Sequence, residues 1–258
     1  GSGLPGIERK MIGPINGAKM MFGPFVLGLD PYPRYLREHG LLKGQLDAAV
    51  EPFGQISRAV VERHAAPLRA RLLQKQSIDA VRDFAERVTT DVAAEFFGVP
   101  VLGATSRVLD VPAGPDTLRL WLRKLGSTIA STVPAPFGLQ AVAPACTPEL
   151  VAPVSAALER AKRAPNDSDI GLLSRWAAIQ RSGCAELTDG LIVRNVIGLL
   201  LAGSAAITKA FAHALDQLLR RPEHLQIAVT RAQKQDDALL LESVREELRF
   251  DPTFPVLS

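Results

Sequence analysis

The feature that most constrains this chain is the run from Leu187 to Pro222. Thr188 or Asp189 can cap a helix start, no proline interrupts before Pro222, and Arg220 and Arg221 suit the negative C-terminal end. One helix over about 188–221 is predicted. At 1.5 Å per residue, ~33 residues make it ~50 Å long, more than the width of a small domain, so it must run through the body of the fold. Its centre, Gly198 to Thr208, is apolar or small on all sides, which predicts burial all round.

A membrane span is the obvious rival, because Val196 to Ile207 carries no charge. Those twelve residues fall short of the ~20 that a bilayer requires, and Arg194 and Lys209 bracket them. No membrane association is expected. The small residues Ala202, Gly203, Ser204, Ala205 and Ala206 are harder to explain. Glycine inside a helix costs about 1 kcal/mol against alanine, so something should approach the backbone closely at Gly203. Another helix crossing tightly would do so, and so would a flat cofactor.

Composition narrows the classes. The chain has 258 residues, 47% hydrophobic and 22% charged, enough to bury a sizeable core. Its 30 basic and 27 acidic residues are spread without a basic block, and aromatics are 5%, so nucleic-acid binding has no support. Cys146 and Cys184 are isolated, which fits a reducing compartment and a cytoplasmic protein without a disulfide framework. Gly1–Gly3 resembles a cloning remnant, with no signal peptide after it.

Along the chain, residues 4–29 read as loop with a short helix near Ile15 to Met21. Arg34 to His39 opens a helical segment interrupted at Gly40, either a solvated face or an anion-binding one. Leu46 to Lys75 has helical apolar spacing over two or three helices, divided near Pro52 and Pro67. Ser77 to Phe97 is an amphipathic helix stopped at Gly98, and Pro115 to Ile129 another with Trp121 on its apolar face. Thr132 to Gly138 and Pro144 suggest an exposed connection, and Thr147-Pro148 a helix start leading to Arg163. Pro165 to Asp169 is a turn. Helices follow over Ile170–Gln180, from Pro222 to about Ala232, and over 237–250 with Asp236 or Asp237 as cap. An extended tail begins at Asp251. The fold class is mainly α with little β, in a single domain over 1–258.

No nucleophile elbow, zinc-protease motif, phosphate loop or dinucleotide fingerprint occurs. His39, His64, His213 and His224 are far apart and read as surface or helix-face positions, so no metal site is expected. Glu246 and Arg249, three apart, share a helix face and can pair; Glu242 and Arg245 repeat the spacing.

In order, these pieces resemble the cytochrome P450 superfamily of haem-thiolate proteins, especially its soluble bacterial members. The likeness rests on the Ala202-Gly203 centre of a long helix, Leu218 to Glu223 after it, and Glu246 and Arg249 with Phe250 and Pro252. Phe25 to Asp30, Ile78 to Ala85 and Phe97 to Pro100 add to it, so that it spans roughly Phe22 to Ser258. It implies a partial P450-like helical domain, truncated at both ends, with the 188–221 helix across the distal haem face. Ala202, Gly203, Ala205 and Ala206 would lie near the cofactor. Arg34, Arg37 or His39 would fall near the haem propionates, without the family's usual tryptophan. Glu246 and Arg249 would be the buried pair of the E-x-x-R motif; the Phe250 and Pro252 that follow favour it over Glu242 and Arg245.

Two departures accompany the likeness. Where the family has an acid and an alcohol that relay protons during oxygen activation, this chain has Ala205 and Ala206, whose side chains carry no exchangeable proton. Thr208 is the one candidate catalytic side chain, and it comes one or two positions late. The glycine-rich loop bearing the axial cysteine is not among these residues, and neither Cys146 nor Cys184 sits in such a loop. The first expectation is a portion or truncated form of a haem-thiolate oxidoreductase, of monooxygenase or peroxygenase type. Its substrate would be small and apolar or fatty-acyl, favouring hydroperoxides over oxygen with a redox partner. The alternative is a haem-free P450-like partner or scaffold protein, and a third reading is a helical structural domain of chance likeness.

Overall fold

The computed structural model describes residues 34–99, 110–130, 137–163 and 171–251. The elements expected at residues 4–33, 132–136, 165–169 and beyond 251, together with Pro100, lie outside them. The described residues are helical: α1 (Arg34–Asp47), α2 (Val50–Leu73), a π-helical turn (Ala80–Ala85), α3 (Glu86–Phe97), α4 (Thr117–Ala130), α5 (Phe137–Arg163), α6 (Leu172–Arg181), α7 (Asp189–Arg220), α8 (Pro222–Gln233) and α9 (Asp237–Phe250). No β-strand occurs among them.

Local chemistry explains many of the ends. Thr188 accepts from Leu191 N at 3.3 Å and Asp236 from Leu239 N at 3.1 Å, each satisfying an orphan donor at a helix start. Pro222 opens α8, where its missing N–H costs nothing. Gly98 closes α3 in the left-handed conformation, φ 72°, open to glycine without strain. Asp79 caps the π turn through Val81 N and Arg82 N, while Arg71 of α2 clasps Asp83 at 3.0 Å. The backbone bond from Asp79 and then Arg71 hold the Asp83 carboxyl below the usual carboxylate range.

Three expectations are corrected here. Gly40 does not interrupt α1, and Leu46 to Lys75 holds one long helix after a break at Ala48-Ala49 rather than two or three. Pro52 falls in the first turn of α2, where no N–H is needed. Pro67 sits inside it, at a cost of about 3 kcal/mol, but burying Ile56, Val60 and Leu68 contributes about 1.5–3 kcal/mol each and outweighs that. Likewise α5 runs through Pro144 and Pro148, so no helix starts at Thr147.

The core gathers on α7. Trp121, Leu118 and Leu125 of α4, Leu172, Leu173 and Trp176 of α6, and Leu158 of α5 pack with Ile192, Ile197, Leu200 and Leu201 of α7. Helices α3, α4, α5, α8 and α9 all contact it. By length and composition α7 could cross a membrane, with a mean hydropathy of 1.8 over its most apolar stretch, 56% of which is buried inside the protein.

Candidate functional site

α7 changes character halfway. From Leu191 to Leu201 it is embedded, with Ile192, Val196, Ile197 and Leu201 fully buried and Asn195 Nδ2 returned to Leu191 O at 2.8 Å. From Ala202 onward most positions are half-exposed and Ile207 is 51% exposed, so burial on every side ends at the centre of the helix. A Cβ built on Gly203 meets nothing within 4 Å. The close approach predicted there is thus not made by another helix among the described residues, and a flat group would find open backbone.

A helix turns about 100° per residue, which sorts this stretch into rows. Gly203, Ala206, Ile207 and Ala210 form one row. Ser204, Ala205, Thr208 and Ala212 face the other way, into a cleft of about 450 Å³ between α7, α3 and α4. Ala202 lies between the rows and outside the cleft lining. The structure therefore separates Ala205 from Gly203 and Ala206, the positions with which it was grouped.

Thr208 is committed to α3. Its Oγ1 lies 2.9 Å from Thr89 Oγ1, and because Thr89 gives its own proton to Ala85 O at 2.8 Å, Thr208 is the donor. Beside them Glu86 and Arg119, 13% and 14% exposed, pair at 3.0 Å, and Arg119 also reaches Asp116 at 3.1 Å. Burial alone would raise the Asp116 carboxyl, but the Arg119 hydrogen bond and charge, with Arg87 at 3.1 Å, hold it below the usual range.

The candidate propionate set is carried by α1, which meets α7 through Glu38 and Arg194. Arg34 opens α1, Arg37 is exposed and His39 half-buried. Between them Glu38, which sequence reasoning passed over, is buried and receives Arg194 Nη2 of α7 at 2.6 Å. Arg194 precedes Ala202 by eight residues, about 12 Å along the axis.

Of the two i,i+3 pairs, Glu246 and Arg249 form the ion pair, doubly bonded at 2.9 and 2.7 Å. Their mutual bonds lower the Glu246 carboxyl and raise the Arg249 guanidinium from their ordinary values. The expected burial is absent among the described residues: the side chains are 48% and 64% exposed. The buried carboxylate is the neighbour, Glu247, 1% exposed, which accepts from Arg221 Nη1 at 2.8 Å and pairs with His224 Nδ1 at 2.6 Å. Arg221 and Arg249 both lie over the Phe250 ring, 4.3 and 4.4 Å from its centroid. The signal for Glu247 was the stripe Leu240, Ser243, Val244, Glu247, which points one helix face at the Arg221 end of α7.

The histidines are also more engaged than a surface reading predicts. His64 meets Asp91 at 2.7 Å, His213 meets Asp251 at 3.2 Å, and His224 holds Glu247. No group of His, Cys, Asp or Glu that could hold a metal ion occurs among the described residues. Cys184 Sγ, in the turn between α6 and α7, lies 3.7 Å from Glu186.

No family model matches the chain. In sequence it is similar to "Putative cytochrome P450 133B1" of Xylella fastidiosa (strain 9a5c), 28% identical over 200 residues, covering 77% of this chain and 47% of that protein. In structure it resembles P450BioI, crystallised with an acyl carrier protein ligated to hexadec-9Z-enoic acid. The TM-score is 0.64 at 19% identity, over 92% of this chain and 54% of that one. The chain thus spans about half the length of either. The chain shares a helical fold with one cytochrome P450 and sequence similarity with another, and in both respects it is cytochrome P450-like.

Proposed function

We propose that the chain is one partial domain of a cytochrome P450-type oxidoreductase that works in the cytoplasm. The observation that carries this is the open backbone at Gly203, midway along the helix that the fold places at its centre. Gly203, Ala206 and Ala202 would lie against the haem, with Ile207 packing on its edge, because no side chain there projects far enough to hold a flat group away. Arg34, Arg37 and His39 would meet the propionates. When bound, the haem supplies the redox chemistry; its thiolate is assigned to no cysteine of these residues.

The polypeptide's part is to bind, orient and exclude water. The side chains of Ala205 and Ala206 carry no exchangeable proton, and the Thr208 hydroxyl is engaged by Thr89, so proton delivery from these three positions is weak. The substrate we infer brings its own O–O bond: a fatty-acyl or other apolar hydroperoxide. A fatty-acyl chain on a carrier protein, as in the P450BioI complex, supports a partner that presents such a substrate.

The test is spectroscopic and kinetic, on the natural full-length polypeptide. Reduced and saturated with carbon monoxide, it should show a thiolate-type Soret shift, and hydroperoxide should drive turnover better than oxygen with a reductase. A preparation that takes up no haem would favour the haem-free partner reading. Efficient coupled hydroxylation with oxygen would remove the proton-relay argument.

A further inference from the structure

The cleft between α3, α4 and α7 belongs to none of the roles above. It opens on the row of Ser204, Ala205 and Thr208, turned away from the Gly203 and Ala206 row. Its volume, about 450 Å³, lies within the roughly 300–1,000 Å³ of small-molecule sites.

Two observations say what it would take. Ser204 is 6% exposed, lines the cleft, and its Oγ has no hydrogen-bond partner among the described residues. A buried hydroxyl left in that state costs free energy that a ligand acceptor would recover. Charge is the second. Arg119, Arg123 and Lys209 line the cleft against one carboxylate, Glu86. Setting aside Lys209, which has a partner of its own, and adding the adjoining Arg87 and Asp116 leaves three cations against two carboxylates. Arg119 is engaged by Glu86 and Asp116, whereas Arg123, 41% exposed, has its nearest carboxylate oxygen, on Glu86, at 3.7 Å and makes no hydrogen bond among the described residues. Val81, Leu122, Ala205 and Ala212 supply the apolar wall.

We propose that this cleft binds a small amphiphilic carboxylate, its head held by Arg123 and the Ser204 hydroxyl and its short hydrocarbon body against Val81, Leu122 and Ala212. A guanidinium with free donors matches a carboxylate in two parallel bonds, and the absence of a side chain beyond Cβ at Ala205 leaves room for the body.

Calorimetric titration of the haem-free chain with octanoate, octanol and octylamine tests this without depending on the haem reading. Octanoate should bind, and the alcohol and amine should bind at least about tenfold more weakly. Arg123→Gln should weaken octanoate roughly tenfold or more, and Ser204→Ala about threefold or more. Ala205→Leu should abolish binding by filling the cleft, with the helical circular dichroism signal kept as the control for folding. Octanoate that does not bind, that binds no better than octanol, or that is indifferent to both Arg123→Gln and Ala205→Leu would overturn the proposal.

Discussion

Thr208 on α7 donates to Thr89 on α3 at 2.9 Å, and Thr89 in turn donates a hydrogen bond to the Ala85 carbonyl. The pair ties the second half of α7 to the helix across the cleft. Thr208→Val should cost about 1 kcal/mol, the net worth of one partly buried hydrogen bond, measured by urea unfolding. Hydroperoxide-driven turnover should change by less than about twofold, since the hydroxyl is not free to deliver a proton. A much larger loss of turnover would return Thr208 to the catalytic machinery.

Glu247 should matter more to folding than its neighbour in the E-x-x-R pair. Removing it leaves Arg221 and His224, 29% and 36% exposed, without their shared carboxylate. Because those partners keep some water, Glu247→Ala should cost about 2–3 kcal/mol, below the range for a fully buried pair. Glu246→Ala should cost less, its pair being exposed and screened. Denaturation midpoints that rank the two the other way would show that the motif pair supports the fold more strongly.

Gly203→Ala should stabilise the haem-free chain by about 0.5–1 kcal/mol, because the added Cβ meets nothing and glycine is costly in a helix interior. Gly203→Leu should reduce haem uptake, read from the Soret absorbance per protein. Full haem content in that variant would remove Gly203 from the proposed cofactor face.

The start of α7 should respond to pH. Lys162 of α5 meets Asp189 at 2.5 Å, and Gln180 adds a bond at 2.8 Å. The Lys162 and Gln180 bonds depress the Asp189 carboxyl, so its contribution is present above its ordinary value of about 3.9 and is lost as pH falls below that. For Lys162, burial opposes but the Asp189 bond prevails and raises the ammonium; that contribution is present below its ordinary value of about 10.4 and is lost as pH rises beyond it. With side chains 26% and 53% exposed, the effect should stay under about 1 kcal/mol. Urea midpoints should fall at both ends of the pH range, and Asp189→Asn should flatten the acid limb. An unchanged acid limb would contradict the assignment.

Local signals were legible where they act over a turn or two. The caps at Thr188 and Asp236, Pro222 at the start of α8 and Gly98 at the end of α3 each act within four residues, and those helices begin or end where the residues say. Pro144, Pro148 and Pro67 misled for the same reason: a proline's cost is local, and it was outweighed by burial along helices whose packing partners are distant in sequence.

By itself the sequence determined that α7 is one long helix, that it is the core element, and that Ala202 and Gly203 leave its backbone bare, because capping, composition and side-chain size are properties of the segment. The tertiary structure alone decided that burial on every side ends at Leu201, with only single positions such as Ser204 buried beyond it, that Glu247 rather than Glu246 is enclosed, and that Ala205 faces a basic cleft shared with Thr89 and Arg123. Those outcomes depend on which face of each helix meets which neighbour. A turn of about 100° per residue places adjacent letters on different sides of the molecule, and only packing says which side is covered.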